Sequence, residues 1–534
     1  MKKALSVALS FTMAASMLAG CGGTASGTTD SGSADASGSA SGSAAAEAAP
    51  EGGEGSLTIG TLSVNGGFDH VGTHGQSDDM NTYLAWGYLF RQDPETGEPV
   101  PDMVDSYEWV DDTHLQLTLK EGITAADGEE ITGEDALYSI KRYYDENSNL
   151  LSFVSQYDWD NCTVSEDDPL TFTLAYTEAF GPGLRYLYLP IVAKDWAESE
   201  GQDDAVWWDQ PDSTGPYTCS ENVDGAYAVF ELRDDYWGDT TGMAEEVIIR
   251  YYGDESTMYI DYENGVLDAA FGLSSDDADN LDGEDGTTVV LQSTNDVYTL
   301  ILPEYVEQFE DENVRQAVAH AIDWEQVAVA GFGSLYTNAS SILPAGVEYY
   351  KNTDMPYEYD PDLAAELMAK SAYADGFDLD VVITNSNENI NMMTVIQAYL
   401  ETIGIHINIQ QYDIPTAVPM MQDGETALSL NHCMGGNPQR EPSISVQNFV
   451  ADTTNMSVQI SDSEWNELVN KGLHTVDGTE RQQAYEDLQD LAVEQYRLLP
   501  ICEAASAYAY HDTLSEAACA SATAPDLTQF VLAQ

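Results

Sequence analysis

Basic residues are scarce: Lys and Arg number 17 against 93 Asp and Glu in 534 residues, a formal net charge of −76. That shortage excludes a nucleic-acid partner, because like charge repels phosphate and no basic stripe is present to release counterions. Signatures of catalysis are missing as well. The chain has no GxSxG, no HExxH, no Walker loop and no complete GxGxxG. Carboxylate pairs mean nothing among so many acids, so no catalytic role is assigned and no cofactor is implied. Cysteine is sparse, six in all, and no CxxC suggests a zinc or thioredoxin-type site. Past the N-terminus, no run is long and apolar enough to cross a bilayer. What is present is the composition of a globular chain, 43% hydrophobic and 10% aromatic. The acids chiefly solvate its surface, with attraction of cationic solutes to a cleft as the alternative. The acidic run "DDADNLDGEDG" (276–286) fails as a calcium loop, since Leu281 takes a ligand position in the register from Asp277 and glycine is missing at the sixth place. A solvated turn is expected there.

The N-terminus reads "MKKALSVALSFTMAASMLAGCGG": two lysines, an uncharged run from Ala4 to Gly20, then Cys21. That is the form of a secretory signal, and "LAGC" (Leu18 to Cys21) looks like the lipobox of bacterial lipoproteins. The likeness implies a signal peptide over 1–20 and a diacylglyceryl group on Cys21. Residues 22–55 contain only Gly, Ala, Ser, Thr, Asp, Glu and Pro. Such a tract buries no apolar surface and is expected to be a disordered tether with a mean reach of about 30 Å. Five further cysteines, Cys162, Cys219, Cys433, Cys502 and Cys519, form an odd set whose pairing the sequence leaves open.

From Ser56 onward strands and helices alternate. Strands are expected at "LTIGTLSV" (57–64), at "HLQLTLKEG" with Leu115, Leu117 and Leu119 on one face, and at "LTFTLAY" with Leu170, Phe172 and Leu174. "ENVRQAVAHAIDWEQVAVAG" (312–331) reads as helical, with Val314, Ala317, Val318, Ala321 and Ile322 on one stripe. "FDLDVVIT", "NMMTVIQAYLETIG" and "IHINIQ" then form a strand, helix, strand unit, the building block of an α/β layer.

Four stretches carry a family resemblance. "PDMVDSYEWVDDTHLQLTLKEGITAADGEEITGEDALYSIKR" (101–142) resembles the segment that marks family 5 extracellular solute-binding proteins of ABC importers, the group of oligopeptide-, dipeptide- and nickel-binding lipoproteins. "STGPYTCSENVDGAYAVFELRDDYWG" (213–238), "NVRQAVAHAIDWEQV" (313–327) and "YDPDLAAELMAKSAYADGFDL" (359–379) follow in the family's order, so the similarity spans about residues 56 to 510. The resemblance implies an α/β fold of two lobes, periplasmic-binding-protein-like (class II, cluster C type), with an extra subdomain in lobe one and the ligand between the lobes. By position, lobe one is expected at 56–99, 211–295 and 500–534, the extra subdomain at 100–210 and lobe two at 296–499. The implied function is non-enzymatic: a monomer, lipid-anchored on the extracytoplasmic face of the cell membrane, takes up a peptide-like solute and hands it to ABC permease subunits. A metal chelate of the nickel type or an oligosaccharide is the alternative solute. A secreted hydrolase or a surface adhesin using the same anchor is the alternative from a different class.

Two segments are expected to line the cleft. The first, "SVNGGFDHVGTHG" (63–75), offers Asn65, Gly66 and Gly67; the glycines either admit a ligand's backbone closely or simply make a turn. The second, "ALSLNHCMGGNPQREPS" (427–443), offers His432, Met434 and Arg440. Peptide-binding relatives keep an aspartate four residues before a proline here, paired with the peptide's α-amino group. Aligned on Pro438 or on Pro442, that place falls to Met434 or to Pro438, and neither is a carboxylate. Burying an unpaired ammonium there is costly, so the usual amine anchor is replaced. Arg440 has two readings, a fork for a ligand carboxylate and a surface salt bridge. A metal held by His70, His74 and His432 is the minor alternative; Cys433, next to His432 on a strand, points to the opposite face.

Overall fold

Two long strands, Thr287–Ile301 and Leu498–His511, run antiparallel and form the spine of the molecule. The computed structural model describes residues 50, 52–53, 55–62, 67–69, 76–93, 96–146, 156–199, 211–353, 357–431, 440–447, 463–476, 478–516 and 525–533. Among these, the spine belongs to a nine-stranded mixed sheet. At one end, Leu498–His511 pairs with Ala269–Leu273, which lies parallel to Ser56–Thr61 and through it to Glu246–Tyr251. Tyr227–Leu232 and Tyr217–Val223 extend this flank antiparallel. At the other end, Ser429–Asn431 pairs with residues 299–301, and Tyr336–Asn338 pairs with residues 502–504. Ser56–Thr61, which overlaps the expected strand 57–64 but begins one residue earlier and ends at Thr61, is buried on both faces from Leu57 on. Leu57 and Ile59 enter one core, and Gly60 lies against Leu267 and Met258 on the other side with no room for a Cβ. Continuous burial of this kind is normal for a parallel strand with cover on both faces.

Between Ser56–Thr61 and Tyr217–Val223 the chain leaves this sheet and builds an insert with its own four strands, ordered Val104–Asp111, His114–Leu119, Thr171–Ala175, Thr163–Val164. Leu115, Leu117, Leu119, Phe172 and Leu174 alternate into a separate core against Ala136 and Ile140 of the helix Gly133–Glu146. Leu170 sits in the preceding turn, half-buried, and the strand begins one residue later. Arg233 ties the insert to the sheet: one guanidinium donates to the carbonyls of Thr124, Ala125, Ser213 and Gly215 at 2.7–3.3 Å. Beside it, Asp212 accepts from the Asp127 N–H at 3.0 Å while only 8% exposed.

The expected strand, helix, strand unit is present as Phe377–Thr384, Asn387–Glu401 and Ile405–Tyr412, with the two strands parallel. Leu379, Val381 and Ile383 enter one core, whereas Val382 packs on Ala417 and Met421 of the helix Ile414–Gln422 on the opposite face. Helix 312–331 is not continuous. It is two helices, Glu312–Ala321 and Trp324–Phe332, broken at Ile322, which turns extended, and at Asp323, which caps the second helix. The apolar stripe reads through this break because Ile322 stays fully buried outside the helix. The acidic run 276–286 also differs from the expected turn. Its first half is a short helix, Ser275–Leu281, capped by Ser274, with Leu281 buried.

Residues 1–49 lie outside the described residues, and with them Cys21 and most of the tract 22–55. The end of that tract lies against the body. The Pro50 carbonyl accepts from Arg250 at 2.9 Å, Gly53 accepts from the Ser56 N–H at 3.2 Å, and Gly55 accepts from the Glu245 N–H at 2.9 Å. No helix among the described residues is long and apolar enough to cross a membrane.

Candidate functional site

The strand Ser56–Thr61 leads into the first of the two segments singled out in the sequence. Asn65, Gly66, His70 and His74 lie outside the described residues. Gly67 adopts φ +96°, a conformation that glycine tolerates and L side chains rarely do. The next two residues are fixed. Phe68 is fully buried edge-on to Phe230, and its carbonyl accepts from the Trp86 indole at 2.9 Å. Asp69 is held by Arg142 of the insert helix in a bidentate pair, both bonds 2.8 Å. The loop is thus pinned immediately after its glycine, to the sheet and to the insert at once.

Of the second segment, His432, Cys433, Met434 and Pro438 lie outside the described residues, and Arg440 is described. Arg440 is half-buried, with φ +52°. Its side chain covers Gly97 so closely that a Cβ there has no room, and its carbonyl accepts from the Glu348 N–H at 3.1 Å. From Pro442 the chain turns into the short helix Pro442–Gln447. This helix is wedged between cores: Ile444 enters the insert core, while Val446 joins Trp465, Tyr485 and Leu488.

Around this wedge runs an ionic seam that sequence reading did not find. Arg185, on the insert, donates to Glu98 at 3.1 Å, to the Gly97 carbonyl at 3.1 Å and to Glu348 at 3.0 Å. Arg481 pairs with Glu348 at 3.4 Å and with Glu441, and donates to the Gly472 carbonyl at 2.8 Å. Its guanidinium also lies 5.4 Å from the ring centres of Tyr349 and Tyr485. Burial works against the Arg481 charge, but Glu441, Tyr485 and Glu348 outweigh it and hold the pKa above its ordinary value. Glu441, fully buried, accepts in addition from the Ser443 N–H at 3.0 Å.

The spine carries the third notable feature. Its register slips between Ser293 and Val297, leaving an irregular stretch in which Asn295 takes φ +54°. Opposite this bulge stands Glu503, 2% exposed, accepting from the Ala345 N–H at 2.8 Å and from Ser293 Oγ at 3.2 Å. Burial raises its pKa, and these two donors oppose the rise. Cys502 beside it has its thiol pushed up to about 12, by burial and then by Asp296 and Glu503. A signal for Glu503 was present, since it is the lone charge in the apolar strand "LLPICEAASAYAY". The seam had none, because its partners come from residues 98, 185, 348, 441 and 481. No group of three or more His, Cys, Asp or Glu able to hold a metal occurs among the described residues.

Residues 98–455 match the family model of bacterial extracellular solute-binding proteins, family 5. Heme-binding protein A of Haemophilus influenzae is 23% identical over 439 residues, 75% of this chain and 78% of that protein. Among solved structures, HbpA2 from Haemophilus parasuis superposes with a TM-score of 0.80 at 16% identity, covering 90% of this chain and 100% of that one. A dipeptide binding protein from Pseudoalteromonas sp. in complex with Met-Leu gives 0.71 at 20% identity, with 90% and 100% covered. These neighbours share a two-lobed α/β fold with this protein. With more than half of its length matched by the family model, the chain belongs to family 5 of the bacterial extracellular solute-binding proteins.

Proposed function

We propose that the protein is the lipid-anchored capture component of an ABC importer, with a short peptide or peptide-like molecule as its solute. Lipidation of Cys21 within "LAGC" supplies the anchor, and residues 22–49 give the folded body its reach from the membrane. In this reading lobe one comprises 56–99, 211–295 and 500–534, the insert 100–210 is its extra subdomain, and lobe two is 296–499. The single observation that carries capture by closure is the spine. Two strands join parts whose apolar cores are separate, and the register slip at residues 293–297 gives the pair a place to bend.

The solute class is supported by the likeness to a dipeptide binding protein and by the two pinned segments that border the proposed cleft. Asn65, Gly66 and Gly67 offer main chain to a ligand backbone, the usual means of holding peptides of varied sequence. By sequence alignment Met434 or Pro438 falls where relatives keep a carboxylate for the peptide amine, so in this reading the grip falls on the other end, with His432 and Arg440 as the candidate contacts. The likeness to a heme-binding protein over 439 residues makes a tetrapyrrole the second reading. Native mass spectrometry of the mature protein, released from membranes in mild detergent, tests both. Loss of peptide masses on denaturation supports the proposal, and a stoichiometric tetrapyrrole, sugar or metal chelate overturns the peptide assignment.

A further inference from the structure

Breaking a buried ion pair is strongly unfavourable when it leaves a charge without a partner. The seam is built so that one of its pairs escapes that penalty. Arg185 stands between two carboxylates, Glu98 on the insert side and Glu348 across the seam. Glu348 stands in turn between two guanidiniums, Arg185 across the seam and Arg481 on its own side. Parting the two surfaces therefore breaks Arg185–Glu348 but leaves each of these two charges a resident partner. Arg185 keeps Glu98 and the Gly97 carbonyl, and Glu348 keeps Arg481. Arg481–Glu441 does not span the seam: both members lie on one side, with side chains only 4% and 0% exposed, and that pair is untouched by parting.

Beyond this pair the seam holds the apolar contacts of Ile444 and Leu473 with the insert core, Arg440 over Gly97, a 3.7 Å contact between His474 and Glu178, and a set of hydrogen bonds. The Gly181 N–H donates to the Leu473 carbonyl at 2.9 Å, His474 Nδ1 lies 3.1 Å from the Ala179 carbonyl, and Tyr186 Oη lies 3.3 Å from Ser443 Oγ. These are single hydrogen bonds that water can replace. Water also reaches the charged contact, since the Glu98 and Glu348 side chains are 63% and 26% exposed.

We propose that Arg185–Glu348 is a reversible ionic latch between the insert and the wall formed by residues 348, 440–446 and 472–481. It is made when the two surfaces dock and released when they part, with Glu98 and Arg481 as resident partners that hold the charges in the released state. The latch is independent of which solute is carried.

Hydrogen–deuterium exchange on the full mature chain, with no ligand added, tests it. The Gly181 amide reports parting, and peptides from Phe377–Thr384 and Ile405–Tyr412 report global opening. Glu348→Gln is expected to speed exchange at Gly181 on the order of tenfold while the reference peptides keep their rates. Glu98→Gln is expected to leave Gly181 unchanged or slower, because it removes a partner that supports the released state. Unchanged exchange at Gly181 in Glu348→Gln overturns the latch. So does an equal acceleration in both variants, or acceleration of the reference peptides alongside Gly181.

Discussion

Replacing Asp212 with Asn is expected to stabilise the protein at neutral pH, against the usual outcome for a residue so deeply buried. Burial, reinforced by the nearby Asp127 charge, lifts the Asp212 pKa from 3.8 to about 6, although the Asp127 and Ala126 N–H groups and Arg233 pull the other way. A carboxyl whose folded pKa lies above its unfolded value favours the fold most when protonated. Its contribution is therefore complete below pH 3.8, declines as pH rises, and is lost above about pH 6. The full rise corresponds to about 3 kcal/mol at about 1.4 kcal/mol per pH unit. Asn keeps an acceptor for the Asp127 N–H but forms a weaker, uncharged bond, which returns about 1 kcal/mol. The net expectation is a gain of about 1–2 kcal/mol at pH 7.5 that shrinks toward zero by pH 4.5. Urea unfolding of wild type and variant at both pH values, followed by tryptophan fluorescence, measures it. Comparing the two proteins cancels the titration of the other acids. A variant less stable at pH 7.5, or a difference that does not change with pH, refutes the reasoning.

Glu503→Gln should be neutral or stabilising at pH 7, because Gln still accepts from the Ala345 N–H without a buried charge, whereas Glu503→Ala should cost about 1–3 kcal/mol in thermal or urea melts by stranding that donor. Arg481→Ala should cost about 3–5 kcal/mol by leaving Glu441 buried without its main counter-charge; a loss below 1 kcal/mol would show that water enters to solvate Glu441. Deleting residues 22–49 should leave the melting temperature unchanged. Extending the deletion to residue 55 should lower it, because the Pro50, Gly53 and Gly55 carbonyls all accept from the body or the first strand. Equal melting temperatures for the two deletions would mean that those contacts contribute nothing.

Local periodicity carried most of the secondary structure. Leu115, Leu117 and Leu119, or Ile405 and Ile407, announce their strands because one face is buried and the next residue is not. Periodicity failed at Ile322, where an apolar residue stays in the core after the helix has ended; the cap was visible in Asp323, but the stripe outweighed it. It failed again at Ser275–Leu281, where six acids in the eleven positions 276–286 suggested solvent and a serine cap with two buried apolar residues made a helix. The family resemblance pointed to two candidate cleft segments but said nothing of the contacts that anchor their described residues. Asp69–Arg142, Arg185–Glu348 and Arg481–Glu441 join residues 73, 163 and 40 positions apart, and nothing local in a sequence marks which acid an arginine will choose. In a chain with 93 acids the choice is especially open.

The position of Leu498–His511 within the nine-stranded sheet has a consequence for the order of assembly. This strand comes near the end of the chain yet lies inside the sheet, between Ala269–Leu273 and Thr287–Ile301. Until it arrives, the strands around Ser56–Thr61 and those around Ser429–Asn431 belong to two separate half-sheets with open edges. Contacts this distant in sequence are slow to form, and the open edges are exposed to mispairing meanwhile. A chain folding from its N-terminal side can form the insert early, but it must wait for residues 498–511 before the halves become one sheet.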